Sequence, residues 1–330
     1  MRRRPQPIPA PRWLPGGHVQ TIWPKLFGRL HHGEAPALRR ERWDTPDGDF
    51  VDCDWLELPP AAQPRPLLVL FHGLEGSSAS HYSQAFASHA QQLGWDCALP
   101  HFRGCSGELN RAPRAYHSGD YLEIGWMLAQ AAAHHPGPMV AVGVSLGGNA
   151  LLRWAQEAGE QAGRTVKALA AISAPLDLAA ASHAIHRGLN RQLYTRYFLR
   201  SMIPRGLKKL QQHPGLFDGE RLARARSLVE FDEIFTAPLH GFRNAADYYA
   251  RASAGPHLAR LRVPSLVLNA RNDPFVPFHS LPRPQPYGHA PLTLWQPAHG
   301  GHVGFPAGRW PGHALGLPIS VCAWLEQHLG

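Results

Sequence analysis

The stretch Val140-Ala141-Val142-Gly143-Val144-Ser145-Leu146-Gly147-Gly148-Asn149 joins an apolar, β-branched run to a Gly-x-Ser-x-Gly turn. The helix-compatible Ala150-Leu151-Leu152-Arg153-Trp154 follows directly. The run predicts a buried strand, and the serine falls at a sharp turn between strand and helix. Where the two backbones approach so closely, a Cβ at Gly143 or Gly147 would not fit. Such a turn lifts the Ser145 hydroxyl clear of the sheet and puts the Leu146 N–H at a helix start. A nucleophile and half an oxyanion hole come from one turn.

Outward from this turn, apolar runs alternate with helical patterns. Upstream, residues 42–45, a Pro46-Asp47-Gly48 turn and residues 50–58 predict a hairpin. Strands follow at 66–71 and 95–100, with helices near 83–93 and 120–134. Downstream come strands at 166–172, 265–269 and 292–295, then a closing helix at 319–328. Strands without polar alternation are buried on both faces, so the pattern predicts an α/β fold with a mostly parallel sheet between helices.

Residues 1–38 are proline-rich and read as an irregular arm on a single domain of residues 1–330. Trp13, Leu14, Ile22, Trp23, Leu26 and Phe27 are its expected buried anchors. Residues 179–262 show helical patterns without a strand and carry many aromatic side chains. They predict a helical cap over a site at the strands' carboxyl ends, with fewer than half of the aromatics facing that site.

A serine hydroxyl is a poor nucleophile until a base takes its proton. With 21 histidines, residue type selects nothing and position must decide. In a sheet of this connectivity the acid follows a late strand and the histidine comes later still. Asp273, in Asn272-Asp273-Pro274 past the strand at 265–269, is the expected acid, with Asp177 as fallback. His302, in Gly300-Gly301-His302-Val303-Gly304-Phe305, is the expected base, with His299 as rival. His72-Gly73-Leu74 should supply the second oxyanion donor, the Leu74 N–H, with His72 holding the loop.

The four cysteines (Cys53, Cys97, Cys105, Cys322) lack metal spacing and read as reduced thiols in a cytoplasmic protein. Cys97 is expected in the core, whereas the glycine-rich turn around Cys105 leaves that thiol open to exposure. The net charge of +9 is spread over Arg2-Arg3-Arg4, Lys208-Lys209, Arg221, Arg224 and Arg226, without a nucleic-acid module. A solvated basic surface is the plain reading; weak peripheral attraction to anionic lipid headgroups is the alternative. No apolar run approaches the roughly 20 residues that span a bilayer. Pro5, Pro7, Pro9 and Pro11 stand where a signal peptide would be apolar.

Together these segments resemble the YheT-like branch of the α/β-hydrolase superfamily, the AB hydrolase 4 family. The matching pieces are Gly17-His18-Val19-Gln20-Thr21, His72-Gly73-Leu74-Glu75-Gly76-Ser77-Ser78 and Phe102-Arg103-Gly104-Cys105-Ser106-Gly107-Glu108. The others are Gly143 to Asn149, Asn272-Asp273-Pro274 and Gly300 to Phe305. The resemblance implies an α/β-hydrolase fold with Ser145, Asp273 and His302 as a catalytic triad. One departure is His101, where the family usually has asparagine. Animal members carry a membrane anchor and act on lipid esters; no such anchor is read here.

The expected activity is that of a serine carboxylesterase on small-molecule esters with an apolar acyl or alcohol portion, with no metal or organic cofactor. A thioesterase or an acyltransferase at the same site, or a non-catalytic binding protein on this scaffold, are the alternatives.

Overall fold

The computed structural model describes residues 5–329, so the Arg2-Arg3-Arg4 triplet lies outside the described residues. Eight strands make one sheet in the order β1-β2-β4-β3-β5-β6-β7-β8. They are β1 Leu38–Asp44, β2 Phe50–Leu56, β3 Leu67–Phe71, β4 Asp96–Pro100, β5 Met139–Val144, β6 Ala168–Ile172, β7 Ser265–Leu268 and β8 Leu292–Trp295. β1 pairs antiparallel with β2, and β2 with β4; every later pairing is parallel.

The continuous apolar runs are explained by burial on both faces. Every residue of β3, β5, β6 and β7 is buried. Alternation then sorts the side chains: Leu67, Val69 and Phe71 point to one core, Leu68 and Leu70 to the other. Helices Tyr121–His134 and Leu146–Ala158 cover the first face through Ile124, Leu128 and Leu151. Helices His81–Leu93 and Gly316–Glu326 cover the second through Phe86, Val321 and Leu325. Each such fully buried side chain contributes about 1.5–3 kcal/mol against exposure.

Between β6 and β7 the chain is helical, with Leu178–Ile185, Arg196–Gln212 and Ala245–Ala252 as its longer pieces. Leu199, Met202, Leu222, Phe231 and Phe235 of this insertion pack in one cluster with Phe275, Val276 and Leu281 from the chain after β7.

The arm departs from the expectation in two respects. Residues Gly17–Leu26 form a helix despite Pro24, whose missing N–H leaves the Gln20 carbonyl without its usual partner. The helix buries Gln20 and Pro24, while Leu26 and Phe27 are exposed rather than anchoring. Leu14 is the buried anchor. Among the described residues, no helix is long and apolar enough to cross a membrane.

Candidate active site

The turn after β5 has the geometry that its glycines suggest. Ser145 sits at φ 53° and ψ −117°, a left-handed conformation that a non-glycine residue rarely adopts. A Cβ on Gly143 would lie 2.4 Å from the Gly147 carbonyl oxygen, and one on Gly147 would lie 2.5 Å from that of His72. Strand, helix and the loop after β3 are therefore in backbone contact around the serine.

Ser145, Asp273 and His302, which leave the sheet after β5, β7 and β8, meet at its carboxyl edge. His302 Nε2 lies 2.9 Å from Ser145 Oγ, and His302 Nδ1 lies 2.9 Å from Asp273 Oδ2. A carboxylate only accepts, so Nδ1 carries the proton and Nε2 is left to accept from the serine hydroxyl. Asp273 is buried, and its Oδ1 also accepts the Phe275 and Val276 N–H groups at 2.7 and 3.2 Å. The Phe275 ring stacks on the imidazole at 4.1 Å between centroids.

The loop carrying His302 is held by its backbone. Four consecutive N–H groups each donate to a side chain: Gly300 to Gln20 Oε1 (2.9 Å), Gly301 to Asn272 Oδ1 (3.0 Å), His302 to Thr21 Oγ1 (2.8 Å) and Val303 to Ser173 Oγ (3.1 Å). Gln20 Oε1 also accepts from Asn272 Nδ2 at 2.9 Å, so one buried amide bridges the acid's loop and the base's loop. A Cβ on Gly304 would come within 1.8 Å of the Gln20 carbonyl oxygen, which is why the arm can lie so close. These partners come from segments far apart in the chain, and sequence reading assigned a role to none of Gln20, Thr21 or Ser173. The Gly17-His18-Val19-Gln20-Thr21 stretch is the signal for the first two; nothing in the sequence marks Ser173.

After β3, Gly73 brings the loop to the serine: a Cβ there would sit 3.2 Å from Ser145 Cβ. The N–H groups of Leu74 and Leu146 have no acceptor among the described residues, and both residues line the cavity above Ser145. His72 is structural. Its Nε2 accepts the Phe102 N–H at 3.0 Å and its Nδ1 donates to Gly73 O at 2.8 Å, while burial holds its pKa down at about 3. His101 Nε2 lies 2.9 Å from Asp54 Oδ2.

The fallback residues lie elsewhere. Asp177 is exposed and caps helix Leu178–Ile185 by accepting the Ala180 N–H. His299 is exposed, short of the turn that brings His302 inward. Cys97 is buried as expected. Cys105 is only half-buried; Arg205 Nη1 donates to its sulfur, and burial pushes the thiol up to about 11.

Ser145 and His302 open into a cavity of about 1120 Å³, counting its mouth. Its apolar wall includes Leu74, Leu146, Phe198, Met202, Phe231 and Phe235, most of them from the helical insertion. Tyr197, by contrast, points to solvent. The insertion's Arg205 pairs with Glu75 and so ties it to the loop after β3. Also lining the cavity, Asp232 accepts from Thr236 and Tyr249, and desolvation raises its pKa to about 6. The arrangement is one in which a base can draw a proton from a hydroxyl beside two free N–H donors.

A family profile described as alpha/beta hydrolase fold matches residues 66–308. The chain is 40% identical over 319 residues to YheT of Escherichia coli (strain K12), which is named provisionally as an esterase; the match covers 94% of this chain and 91% of that one. It is 32% identical to phospholipase ABHD3 of Mus musculus, over 83% of this chain and 67% of that protein. A monoacylglycerol lipase of Saccharomyces cerevisiae is 25% identical over 87% of this chain and 62% of its own length. Among solved structures, the Pyrococcus furiosus esterase Pf2001 superposes with a TM-score of 0.56 at 12% identity, covering 92% and 98% of the two chains, which is a likeness of fold. The chain belongs to the α/β-hydrolase family, in its YheT-like branch.

Proposed function

We propose that the protein is a serine carboxylesterase acting on esters with an apolar acyl or alcohol portion. The observation that carries this reading is the unbroken hydrogen-bonded chain from Ser145 through His302 to Asp273 at the floor of an apolar cavity. The esterase and lipase names of the relatives support the same reaction class.

Ser145 Oγ attacks the ester carbonyl carbon while His302 Nε2 takes the hydroxyl proton. Asp273 keeps the imidazole in the tautomer that can accept and stabilises the cation once it forms. The carbonyl oxygen, now an anion, receives the N–H groups of Leu74 and Leu146. Losing one such donor typically costs about 10²–10³ in rate, so their placement matters as much as the nucleophile's. His302 returns its proton to the leaving alcohol, and the acyl group stays on Ser145. The imidazole then takes a proton from water, which attacks the acyl carbon; as the bond to Ser145 Oγ breaks and the acid leaves, His302 returns that proton to the serine oxygen.

The test is hydrolysis of a p-nitrophenyl ester series by wild type and His302→Ala. Wild type should turn over the series, and the variant should lose at least about 10³-fold in kcat. Equal rates for the two proteins would overturn the reading.

A further inference from the structure

Three long segments of the chain carry no acidic residue. Residues 1–33, 178–217 and 274–325 contain no aspartate or glutamate, although the chain has 24. Parts of all three meet in space. Lys25 of helix Gly17–Leu26 donates to the Tyr197 hydroxyl of helix Arg196–Gln212 at 2.8 Å. On the other flank of the first helix, Trp23 Nε1 donates to the Pro311 carbonyl at 2.7 Å.

Helical geometry places Val19, Trp23 and Leu26 on one face, distinct from the face of the buried Gln20 and Pro24. That outward face continues into large apolar side chains that solvent touches: Leu26 is 60% exposed, Phe27 57%, Tyr197 54% and Trp310 72%. Exposed cations lie on the first two of these segments. Arg12, Lys25, Arg29, Arg191, Arg196 and Arg200 have no carboxylate partner among the described residues. Some surface arginines elsewhere do have one, as in Arg40–Asp54, Arg42–Asp52 and Arg260–Glu157.

We propose that this face docks on an anionic lipid bilayer. Aromatic and leucine side chains enter the headgroup boundary, and the unpaired guanidinium groups meet lipid phosphates. A second copy of the chain is a poor occupant, because two unpaired basic faces repel. Nucleic acid would use the cations but leave the aliphatic Leu26 without a partner. Helix Arg196–Gln212 presents Tyr197 outward and lines the cavity with Phe198 and Met202, so the docked face adjoins the cavity wall. The inference does not depend on the esterase reading.

The test is co-sedimentation of the full chain with vesicles of phosphatidylglycerol and phosphatidylcholine, against phosphatidylcholine alone. Two variants are compared: Leu26→Ser/Phe27→Ser/Tyr197→Ser and Arg191→Glu/Arg196→Glu/Arg200→Glu. Wild type should bind the anionic vesicles at least about tenfold better than the neutral ones, and each variant should lose at least about tenfold. Near-ultraviolet circular dichroism matching wild type shows that the variants are folded. Absence of wild-type binding to anionic vesicles overturns the proposal. So does wild-type-like binding by both folded variants, or a loss confined to the charge variant together with oligonucleotide binding.

Discussion

Thr21 and His302 lie 281 residues apart in the chain and meet through one hydrogen bond, His302 N–H to Thr21 Oγ1 at 2.8 Å. The same hydroxyl donates to the Gly17 carbonyl at 2.7 Å, which fixes its lone pairs toward the histidine's backbone. Helix Gly17–Leu26 therefore sets where the imidazole stands relative to Ser145.

Thr21→Val keeps the side chain's shape and removes the acceptor. Because misplacement of a catalytic group by about 1 Å can cost on the order of 10² in rate, kcat should fall about 10- to 100-fold with KM little changed. Thr21→Ser should restore most of it. An unchanged kcat in the valine variant would show that the arm does not position the base.

Gly147→Ala would push a methyl group into the His72 and Phe71 carbonyl oxygens, 2.5 and 2.6 Å from the new Cβ. Backbone must move to admit it, and overpacking of this kind costs about 1–3 kcal/mol. The urea midpoint should drop accordingly, together with activity. A midpoint equal to wild type would mean that the turn is looser than described.

Burial holds His72 down at about 3 and His89 down at about 4. In the unfolded chain both return to the ordinary histidine value, so the unfolded state takes up protons first as pH falls. The stability they contribute is complete above about pH 6.5 and is lost as pH falls toward the folded values. Tm should therefore fall between pH 7.5 and pH 5, and fall less steeply in His89→Gln. A Tm that rises on acidification would contradict this.

Met202 lines the cavity from the insertion. Met202→Trp should fill space that a long acyl or alcohol chain would occupy, while a short one still fits. Relative to the acetate ester, turnover of a decanoate ester should fall more than about tenfold. Parallel losses on both esters would place the chain-binding space elsewhere.

Much of the sheet was legible because a doubly covered parallel strand has a continuous apolar signature, as in β5 and β6. Ser145, Asp273 and His302 could be proposed from order alone, since each follows a strand in a connectivity that fixes which loops converge. What escaped was non-local or directional. Prolines between residues 5 and 24 obscured the helix that carries Gln20 and Thr21, and no local pattern marks a side chain that bonds a backbone some 280 residues away. Hydrophobicity at Leu26 and Phe27 gave no direction, and the structure turns both outward. His299 and His302 are alike in type and neighbours in sequence; only the turn through Gly300 and Gly301, at φ 155° and 61°, separates the exposed ring from the inward one.

The central claim is that Ser145 is a nucleophile activated by His302, and covalent labelling by a fluorophosphonate tests it most directly. Wild type should be labelled on the peptide containing Ser145, and Ser145→Ala should take up no label. Label that persists on the folded Ser145→Ala variant, or its absence from active wild type, would contradict the assignment.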